Sequence, residues 1–368
     1  MSSLKVGIVG LPNVGKSTLF NSLLKKQQAF VANFPFATIE PNVGVVPVPN
    51  EKLKRLAEVT KEAEGMEKLP PEVYATCEFV DIAGLIAGAH KGEGLGNKFL
   101  SHIREVDAIC HVVRLFTDKD IVKSGSVDPK SDFETVETEL KLADYQTLEK
   151  QKDPGNTPNK ELRLWWEVIT KLKFGLGKGI PARLIELNDE EKVVAKQLSM
   201  LTSKPILIAL NIDESDLKNS SEIEEKWAKQ FNVQKDQVVA ISAKIESELA
   251  SLTNEEQNQY LKDLGVLESG LERLIKKAFS TLGLITFLTA GEKEVRAWTI
   301  KNGINAQKAS GVIHTDFEKK FIKADICSFD DFILFGGWKK ARELGKVKSE
   351  GKDYVMTDSD VVEFKIGT

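Results

Sequence analysis

The sequence predicts an α/β fold in which a mostly parallel sheet is joined to an inserted helical region and a β-rich C-terminal region. An apolar strand at Leu4–Val9, a glycine-rich loop and a helix at Ser17–Lys26 follow one another directly, which is the order of a parallel strand–loop–helix unit. Apolar residues between 133 and 172 recur at helical spacing, whereas the pattern from residue 284 onward favours strands. With 368 residues the chain is longer than one hydrophobic core usually spans, so we expect two or three domains.

The loop after the first strand, Gly10–Ser17, matches the phosphate-binding pattern G-x-x-x-x-G-K-[ST]. Its glycines allow backbone N–H groups to surround phosphate oxygens, and the N-terminus of the following helix adds partial positive charge. We expect Lys16 to reach the β- and γ-phosphates and the Ser17 hydroxyl to ligate Mg²⁺. The predicted nucleotide-binding residues of this loop are Asn13, Val14, Gly15, Lys16, Ser17 and Thr18.

Composition and charge restrict the class of protein further. The sequence is 41% hydrophobic and 29% charged, and it has neither the run of about 18 apolar residues that a membrane span needs nor a signal peptide at its start. The spacing of Cys77, Cys110 and Cys327 fits neither a disulfide framework nor a zinc site, so we expect a cytoplasmic protein with no membrane partner. Because the net charge is −4, we expect no DNA partner, and RNA contact only through a local basic patch.

A second motif supplies the carboxylate that a phosphate-binding loop needs beside its metal. Asp81 and Gly84 form a D-x-x-G pattern directly after a predicted strand at Cys77–Val80. We expect Asp81 to hold the shell of the Mg²⁺ ion and the Gly84 N–H to sense the γ-phosphate. Between the two motifs, Thr38 is the candidate for a switch residue that ligates Mg²⁺ when the γ-phosphate is present. The alternative for Thr38 is an ordinary loop bounded by prolines.

The residue that orients the attacking water is not obvious from the sequence. Ras-type enzymes have a glutamine directly after D-x-x-G, whereas this chain has Leu85, which cannot hydrogen-bond through its side chain. The following residues to Gly96 are rich in glycine and are typical of a second switch loop. We hypothesise that His90, in this loop, holds the water; the alternative is a surface histidine without a catalytic role.

Asn13 suggests an additional cofactor. In some hydrolases with this loop, an asparagine at this position helps to bind a monovalent cation beside the phosphates. A K⁺ ion there would supply positive charge in the transition state, as an arginine finger does elsewhere. The alternative is an asparagine that serves only to form the turn.

The base-reading motif departs from the guanine-specific pattern N-K-x-D. After a predicted strand at Pro205–Leu210 the chain reads Asn211-Ile212-Asp213-Glu214, so Ile212 replaces the lysine and Glu214 the aspartate. Glu214 is one methylene longer than aspartate, so its carboxylate cannot occupy the same position without shifting the base, whereas the Asn211 amide can hydrogen-bond the edge of adenine. The motif therefore argues against strict GTP specificity and permits ATP.

A turn further along the chain fits the other side of the base. Ser242, Ala243 and Lys244 follow a predicted strand at Val238–Ile241 and match the loop that closes over the base in such folds. We therefore predict that Ser242 and Ala243 bind nucleotide together with Asn211, Ile212 and Glu214.

At these residues the sequence resembles the YchF family of Obg-like ATPases, nearly from end to end. The segments that carry the resemblance are GLPNVGKSTLFN at 10–21, FPFATIEPNVG at 34–44, DIAGL and GAHKGEGLGNKFL within 81–100, NIDE at 211–214, and AGEKEVRAWTI, GVIHTDFEKKFI and EGKDYV in the C-terminal part. The resemblance implies a G domain of the OBG type that prefers ATP and hydrolyses it slowly. It also implies an inserted helical domain, a C-terminal TGS domain with the ubiquitin-like β-grasp fold, and association with the ribosome.

The resulting domain prediction divides the chain into three parts. The nucleotide-binding G domain comprises 1–115 and 203–279, the helical insert 116–202, and the TGS domain 280–368. In the insert, Trp165 and Trp166 belong to an apolar stripe, and we favour a core role for them over a partner-binding patch. The alternating residues of 353–364 predict a final hairpin.

One basic cluster lies in the predicted TGS domain. It could contact rRNA phosphates, although a solvated helix face is the interpretation we favour, because no aromatic residue beyond Trp338 interleaves with it. The cluster comprises Lys339, Lys340, Arg342, Lys346 and Lys348.

Together these observations predict an enzyme: a slow Mg²⁺-dependent ATPase whose nucleotide state gates binding to the ribosome. Two alternatives stay open. An Obg-type GTPase would share the phosphate site and differ at the base motif. A nucleotide-gated adaptor that does not hydrolyse is compatible with Leu85.

Overall fold

The computed structural model describes residues 4–33, 42–82, 95–117 and 128–367. Its contacts divide the chain into two compact units. The larger unit contains Leu4–Val46 and Glu78–Thr281, and the smaller unit contains Pro47–Cys77 and the C-terminal segment from Leu282. Each unit has its own six-stranded sheet, and together they confirm the predicted α/β fold.

The sheet of the larger unit has the strand order β2-β4-β1-β5-β6-β7. Its strands are β1 (Lys5–Val9), β2 (Val43–Pro47), β4 (Thr76–Asp81), β5 (Ala108–Arg114), β6 (Ile206–Asn211) and β7 (Val238–Ile241). Strand β1 pairs in parallel with β4 and β5, and β6 pairs in parallel with β5 and β7. The strands β5, β6 and β7 are buried along their whole length, so their near-continuous apolar sequences are those of a sheet covered on both faces.

The helices of this unit are α1 (Lys16–Asn33), α3 (Leu95–Glu105), α4 (Pro129–Glu149), α5 (Lys160–Gly177), α6 (Asp189–Gln197), α7 (Ser220–Phe231), α8 (Ala243–Leu249), α9 (Asn254–Asp263) and α10 (Gly270–Thr281). Several begin at side-chain caps, as where the Asn159 amide oxygen accepts hydrogen bonds from two N–H groups of the first turn of α5. A core cluster made by β6, β7, α4 and α7 lies next to the strand ends that form the site described below.

The smaller unit has a mixed sheet with the strand order β11-β10-β12-β8-β9-β3. Its elements are α2 (Glu51–Glu64), β3 (Glu72–Val73), β8 (Leu284–Ala290), β9 (Val295–Lys301), α11 (Ala306–Ile313), α12 (Thr315–Lys319), β10 (Phe321–Cys327), α13 (Phe329–Phe335), α14 (Trp338–Glu343), β11 (Lys348–Glu350) and β12 (Val361–Ile366). The pairs β8–β9 and β10–β12 are antiparallel, whereas β12–β8 is parallel. Phe287, Ile300, Ile326 and Val362 form part of its core.

The segment 47–77 belongs to the smaller unit, although the domain prediction placed it with the nucleotide domain. Strand β3 pairs in parallel with β9, and α2 buries Leu53, Leu56 and Ala57. The apolar stripe of α2 predicts a helix with one buried face, but it does not identify the sheet that covers this face. The division into three domains otherwise stays a prediction.

The helical segment follows the predicted pattern. Helices α4 and α5 bury a common core that includes Leu148, Val168 and Leu172, and Trp165 and Trp166 pack partly buried against it. The two tryptophans therefore have the core role that we favoured. Between the helices, the Gly155 N–H donates to the Asp153 carboxylate at 2.8 Å, which closes a turn at Asp153-Pro154-Gly155.

The prediction of a final hairpin was wrong. Of the residues 353–364, only Val361 onward forms a strand, which is β12. Before it, the Asp360 carboxylate accepts hydrogen bonds from the Thr357 N–H at 2.9 Å and the Thr357 hydroxyl at 2.6 Å. The polar residues that gave the alternating pattern therefore bond locally within a turn instead of facing solvent from a strand.

Two further observations concern the described part of the chain. Its three cysteines are buried free thiols. None of its helices combines the length and the apolar character needed to cross a membrane.

Candidate nucleotide-binding site

The loop between β1 and α1 requires the residues that its motif contains. Gly10, Asn13 and Gly15 have φ angles of 152°, 62° and 99°, which only glycine and, less readily, asparagine adopt at low cost. A Cβ atom at Gly10 would lie 2.5 Å from the Val112 carbonyl oxygen, and one at Gly15 would lie 2.2 Å from the Asn211 amide nitrogen. The loop can therefore pass this close to β5 and β6 only without side chains at these two positions.

Lys16 lies buried at the start of α1. Its ammonium donates a hydrogen bond to the Leu11 carbonyl at 2.7 Å, so the side chain folds back along the loop. Burial lowers the Lys16 pKa, and the nearby charge of Asp81 opposes this shift. Burial likewise raises the pKa of Asp81, and Lys16 opposes that shift. A cation and a carboxylate thus face the same small volume, where a phosphate and a metal ion would replace the water that both have lost.

The residues present fit a Mg²⁺ ion. Ser17 follows Lys16 in the loop and lines the cleft, and Asp81 ends β4 within electrostatic reach of Lys16. A hydroxyl and a carboxylate are the oxygen ligands that Mg²⁺ takes when phosphate oxygens and water complete its shell. Among the described residues no group of three or more His, Cys, Asp or Glu could hold a metal by itself, and a phosphate-dependent site does not need one. Thr38, Gly84, Leu85 and His90 lie outside the described residues.

The Asn211 side chain joins the two ends of the site. Its amide nitrogen donates to the Val14 carbonyl at 3.0 Å, and its amide oxygen accepts from the Ala243 N–H at 3.0 Å. The amide that we expected at the edge of the base is therefore bonded to protein backbone on both sides. It fixes the phosphate loop against the turn that begins at Ser242.

The next residues of the base motif differ in exposure. Ile212 is 2% exposed and packs in the core, and its N–H donates to the Ile241 carbonyl at 2.9 Å. Glu214 is exposed and lines the cleft, and it starts a short 3₁₀ turn. Asp213, between them, accepts hydrogen bonds from the N–H and hydroxyl of Thr117 at 3.1 Å and 2.9 Å.

Sequence reasoning missed Phe116 and Thr117, which line the cleft after β5. The Phe116 N–H donates to the Asn211 carbonyl at 3.0 Å, and the Arg114 guanidinium lies 4.1 Å from the centre of the Phe116 ring. The available signal was the position of these residues at the carboxyl end of a buried strand. The ends of parallel neighbours such as β5 and β6 meet at one edge, where ligands bind in α/β sheets.

Together these segments form one continuous cleft of about 1290 Å³. Its phosphate end is lined by Asn13, Gly15, Lys16, Ser17 and Thr18, and its other end by Phe116, Thr117, Asn211–Ser215, Lys218, Ser242–Lys244, Ser247, Glu248, Asp263 and Leu264. Thus the described residues predicted from the phosphate loop and the base motif line a single cleft, with the exception of Val14.

A phosphate loop between β1 and α1, a carboxylate at the end of the neighbouring β4, and a base motif after β6 define a P-loop nucleoside triphosphatase with a G domain. The family models agree with this class. Residues 5–153 match the model described as "50S ribosome-binding GTPase". Residues 284–367 match the model YchF-GTPase_C, whose description is "Protein of unknown function (DUF933)".

Relatives identify the family. The chain is 47% identical to the "Ribosome-binding ATPase YchF" of Bacillus subtilis over 99% of both chains. It is 48% identical to the protein of that name from Haemophilus influenzae over 98% of both. The solved structure of the Schizosaccharomyces pombe YchF GTPase superposes with a TM-score of 0.85 at 35% identity, covering 99% of this chain and 98% of that one. The chain therefore belongs to the YchF family, as the sequence motifs predicted.

Proposed function

We propose that this protein is a slow Mg²⁺-dependent ATPase that prefers ATP over GTP and whose nucleotide state gates its binding to the ribosome. The observation that carries the proposal is the single cleft in which an intact phosphate loop faces a base motif that lacks both guanine-reading residues. The relatives named ribosome-binding ATPases match the whole length of the chain and support the same function.

The preference for ATP rests on the chemistry of the base end. A guanine site uses a lysine stem along the ring and an aspartate that accepts from two guanine N–H groups, and this chain has Ile212 and Glu214 instead. Isoleucine carries no charge, and the Ile212 side chain is buried in the core. Position 212 therefore offers neither a cation nor a side chain along the ring of the base. The Phe116 ring offers an apolar face for any purine, while adenine makes no demand for a carboxylate at position 214.

The phosphate end supports hydrolysis through positioning and charge. Lys16 would leave the Leu11 carbonyl to pair with the β- and γ-phosphates, while Ser17, Asp81 and Thr38 would hold the metal ion. When bound, Mg²⁺ neutralises charge that develops on the transferred phosphoryl group. The Gly84 N–H would report the γ-phosphate, and His90 is the group that we propose to hold the attacking water. Asn13 lines this end of the cleft and would contribute to a K⁺ site there.

The basic cluster considered for rRNA contact is partly neutralised within the fold. Arg342 pairs with Glu363 and lies 3.8 Å from Asp325, and Lys346 lies 3.7 Å from Asp331. Of the five cations in this cluster, only Lys339, Lys340 and Lys348 are exposed and make no ion pair with described residues. The cluster therefore carries less available charge than its sequence suggests, which favours the solvated helix face over rRNA contact.

The experiment that tests the base assignment measures the affinities for ATP and GTP side by side, with Mg²⁺ or with EDTA, and in K⁺ or Na⁺ buffer. Tight Mg²⁺-dependent binding of ATP with weak binding of GTP is the expected result, and a K⁺ requirement for turnover would support the role of Asn13. Tight binding of GTP would overturn the assignment and favour an Obg-type GTPase.

A second experiment tests hydrolysis and gating. Sedimentation with ribosomes in the presence of ADP or a non-hydrolysable ATP analogue should give different bound fractions. If single-turnover hydrolysis is absent even with K⁺ and ribosomes while ATP still binds, the protein is a nucleotide-gated adaptor and the ATPase assignment is wrong.

A further inference from the structure

The end of α5 and the turn after it have an unusual charge pattern. Residues 168–185 contain Lys171, Lys173, Lys178 and Arg183 but no Asp or Glu, in a chain whose acidic residues outnumber its basic ones by 55 to 51. A local run of cations without anions in an acidic protein is the electrostatic pattern expected where a polyanion binds.

Two of these cations are used within the fold. Lys171 pairs with Glu191 at 3.0 Å, and Arg183 pairs with the buried Glu137 at 2.6 Å. The other two have no carboxylate partner among the described residues and lie over aromatic rings instead. The Lys178 ammonium is 4.0 Å from the centre of the Phe174 ring, and the Lys173 ammonium is 5.5 Å from the centre of the Tyr145 ring.

A third cation comes from the facing helix α4. The Lys141 ammonium donates to the Gly179 carbonyl at 3.0 Å and makes no ion pair with the described residues. It therefore lies beside the same turn as Lys178. The ammonium groups of Lys141, Lys173 and Lys178 keep their charge available to a ligand.

Phe174 adds an exposed aromatic ring to the surface that carries Lys141, Lys173 and Lys178. Its side chain is 65% exposed, and every other Phe, Tyr and Trp whose side chain the structure describes is less exposed. One side of its ring meets Lys178, so a flat ligand can stack on the ring while its charge meets the ammonium. Leu184 and Ile180, in the following turn, are also exposed and extend the apolar surface.

The end of α5 that carries Phe174 is fixed by packing and hydrogen bonds. The Ile180 N–H donates to the Gly175 carbonyl at 3.0 Å, and Ile185 packs so closely that a Cβ at Gly175 would lie 2.3 Å from its Cδ1 atom. Leu172 and Leu176, on either side of Phe174 in the sequence, are buried. Phe174 is thus presented to solvent by a packed helix end, which lowers the entropy lost when a ligand binds.

We propose that Phe174, with Lys141, Lys173 and Lys178, forms a binding site for single-stranded nucleic acid. A base stacks on Phe174, and the phosphates on either side pair with the three ammonium groups. Aromatic side chains interleaved with unpaired cations are the features that such sites share. An acidic protein segment would meet the cations equally well, but it would have no particular use for a single exposed ring beside them. This site is separate from the nucleotide cleft, and the inference does not depend on the proposed ATPase activity.

The test uses fluorescence anisotropy of the full-length protein with a labelled oligouridine of about 12 nucleotides, a length within the range of single-strand sites. We expect Phe174→Ala to weaken binding roughly 10-fold, which matches the loss of stacking for one base. The double variant K173A/K178A should reduce the slope of log affinity against log salt by about 1.4, because each lost phosphate contact in a single strand contributes about 0.7. An oligothymidine of the same length distinguishes DNA from RNA as the ligand.

Matched controls separate this site from general effects. Leu162→Ala removes a side chain that is 46% exposed at the other end of α5, and it should leave oligouridine affinity unchanged. A blunt RNA duplex of the same length should bind Phe174→Ala as well as it binds the parent chain, because its bases cannot stack on the ring. ATP affinity and thermal stability should be equal in all variants, which shows that a loss of oligouridine binding does not reflect misfolding.

Three outcomes would overturn the proposal. They are failure of the parent chain to bind the oligouridine, an equal loss from Leu162→Ala, and an equal loss of duplex binding from Phe174→Ala. If Phe174→Ala weakens sedimentation with ribosomes although the parent chain does not bind oligouridine, the surface docks a protein and the nucleic-acid assignment is wrong.

Discussion

The phosphate end of the cleft is formed mainly by backbone groups, whereas the base end is formed mainly by side chains. At the phosphate end, backbone groups and two glycines define the shape, and a short motif specifies almost all of it. At the base end, side chains from three separate strand ends meet, including Phe116, Asp213 and Ala243. A site made of backbone therefore tolerates little variation in sequence, whereas a site made of side chains can change its ligand while the fold stays the same.

Each end also buries one titratable side chain. Lys16 is the basic group of the phosphate end, and Glu246 is an acidic group on α8, one turn after the Ser242–Ala243 turn of the base end. Burial lowers the pKa of the first and raises the pKa of the second to about 7. If the two ends act independently, a substitution at the phosphate end should alter the affinity for all nucleotides. A substitution at the base end should alter stability or the selectivity between ATP and GTP.

The largest effect should come from Lys16→Ala. Because its ammonium would make charge-assisted hydrogen bonds to two phosphates, we expect ATP and GTP to lose affinity alike, by about 3 kcal/mol or more, which is at least about 100-fold. Lys244→Ala, at the base end of the same cleft, is the matched control and should change either affinity by less than about 5-fold. Isothermal titration with both nucleotides measures this. A loss confined to ATP would contradict the division between the two ends.

The next largest effect should come from Gly15→Ala. The new Cβ would meet the Asn211 amide at 2.2 Å in a backbone conformation with a φ of 99°. We expect about 3 kcal/mol of lost stability from backbone strain and from broken Asn211 hydrogen bonds, together with weaker binding of both nucleotides. Denaturant unfolding and the same titrations report it.

Gly44→Ala, on β2, is the control for Gly15→Ala, since its new Cβ would find no atom closer than 3.6 Å. It should fold and bind as the parent chain does. If Gly15→Ala behaved in the same way, the close approach of the loop to β6 would not require glycine at position 15.

The strand, loop and helix of the phosphate end lie where the sequence predicted them, because the motif and its flanking elements are contiguous. It also predicted β7 at Val238–Ile241 with the bounds that the structure has. It did not find Phe116, or the bonds that Asn211 makes to Val14 and Ala243, because these contacts join separate segments of the chain or depend on strand order.

The assignment of 47–77 failed for a related reason. The amphipathic pattern of α2 specifies a buried face, but the partner of that face is a sheet formed by residues more than two hundred positions later. Thr38, Gly84 and His90 lie outside the described residues, so their roles stay predictions.

The pH dependence of stability tests the buried carboxylate of the base end. Glu246 accepts a hydrogen bond from the Gly270 N–H at 2.8 Å, and burial raises its pKa from 4.5 to about 7. Between these values the unfolded state has released the proton and the folded state still holds it, so stability falls as pH rises from about 4.5 to about 7 and then stays level. The whole effect is up to about 3 kcal/mol.

Glu246→Gln should remove this slope, because an amide does not titrate. Urea unfolding of the parent chain and the variant between about pH 5 and about pH 8 measures the difference in their stabilities. The readout is how this difference changes with pH, so the absolute stabilities of the two proteins need not match. A constant difference across this range would mean that Glu246 is ionised in the folded protein throughout.

The smallest effect should come from the base motif itself. Glu214→Asp restores the aspartate of N-K-x-D at an exposed position on the cleft, where the change costs the fold little. A shorter carboxylate there can accept from the guanine N–H groups, so GTP should gain about 1 kcal/mol relative to ATP, roughly 5-fold, with ATP affinity nearly unchanged. Lys218→Ala, which also alters an exposed charge on this end of the cleft, is the control and should leave the ratio of the two affinities unchanged. The full guanine motif would also need a lysine in place of Ile212, but that side chain is buried in the core, so the fold itself limits how far selectivity can be reversed. If Glu214→Asp shifted both affinities equally, position 214 would not face the base, and the discrimination would have to come from Phe116 and the Ser242–Lys244 turn.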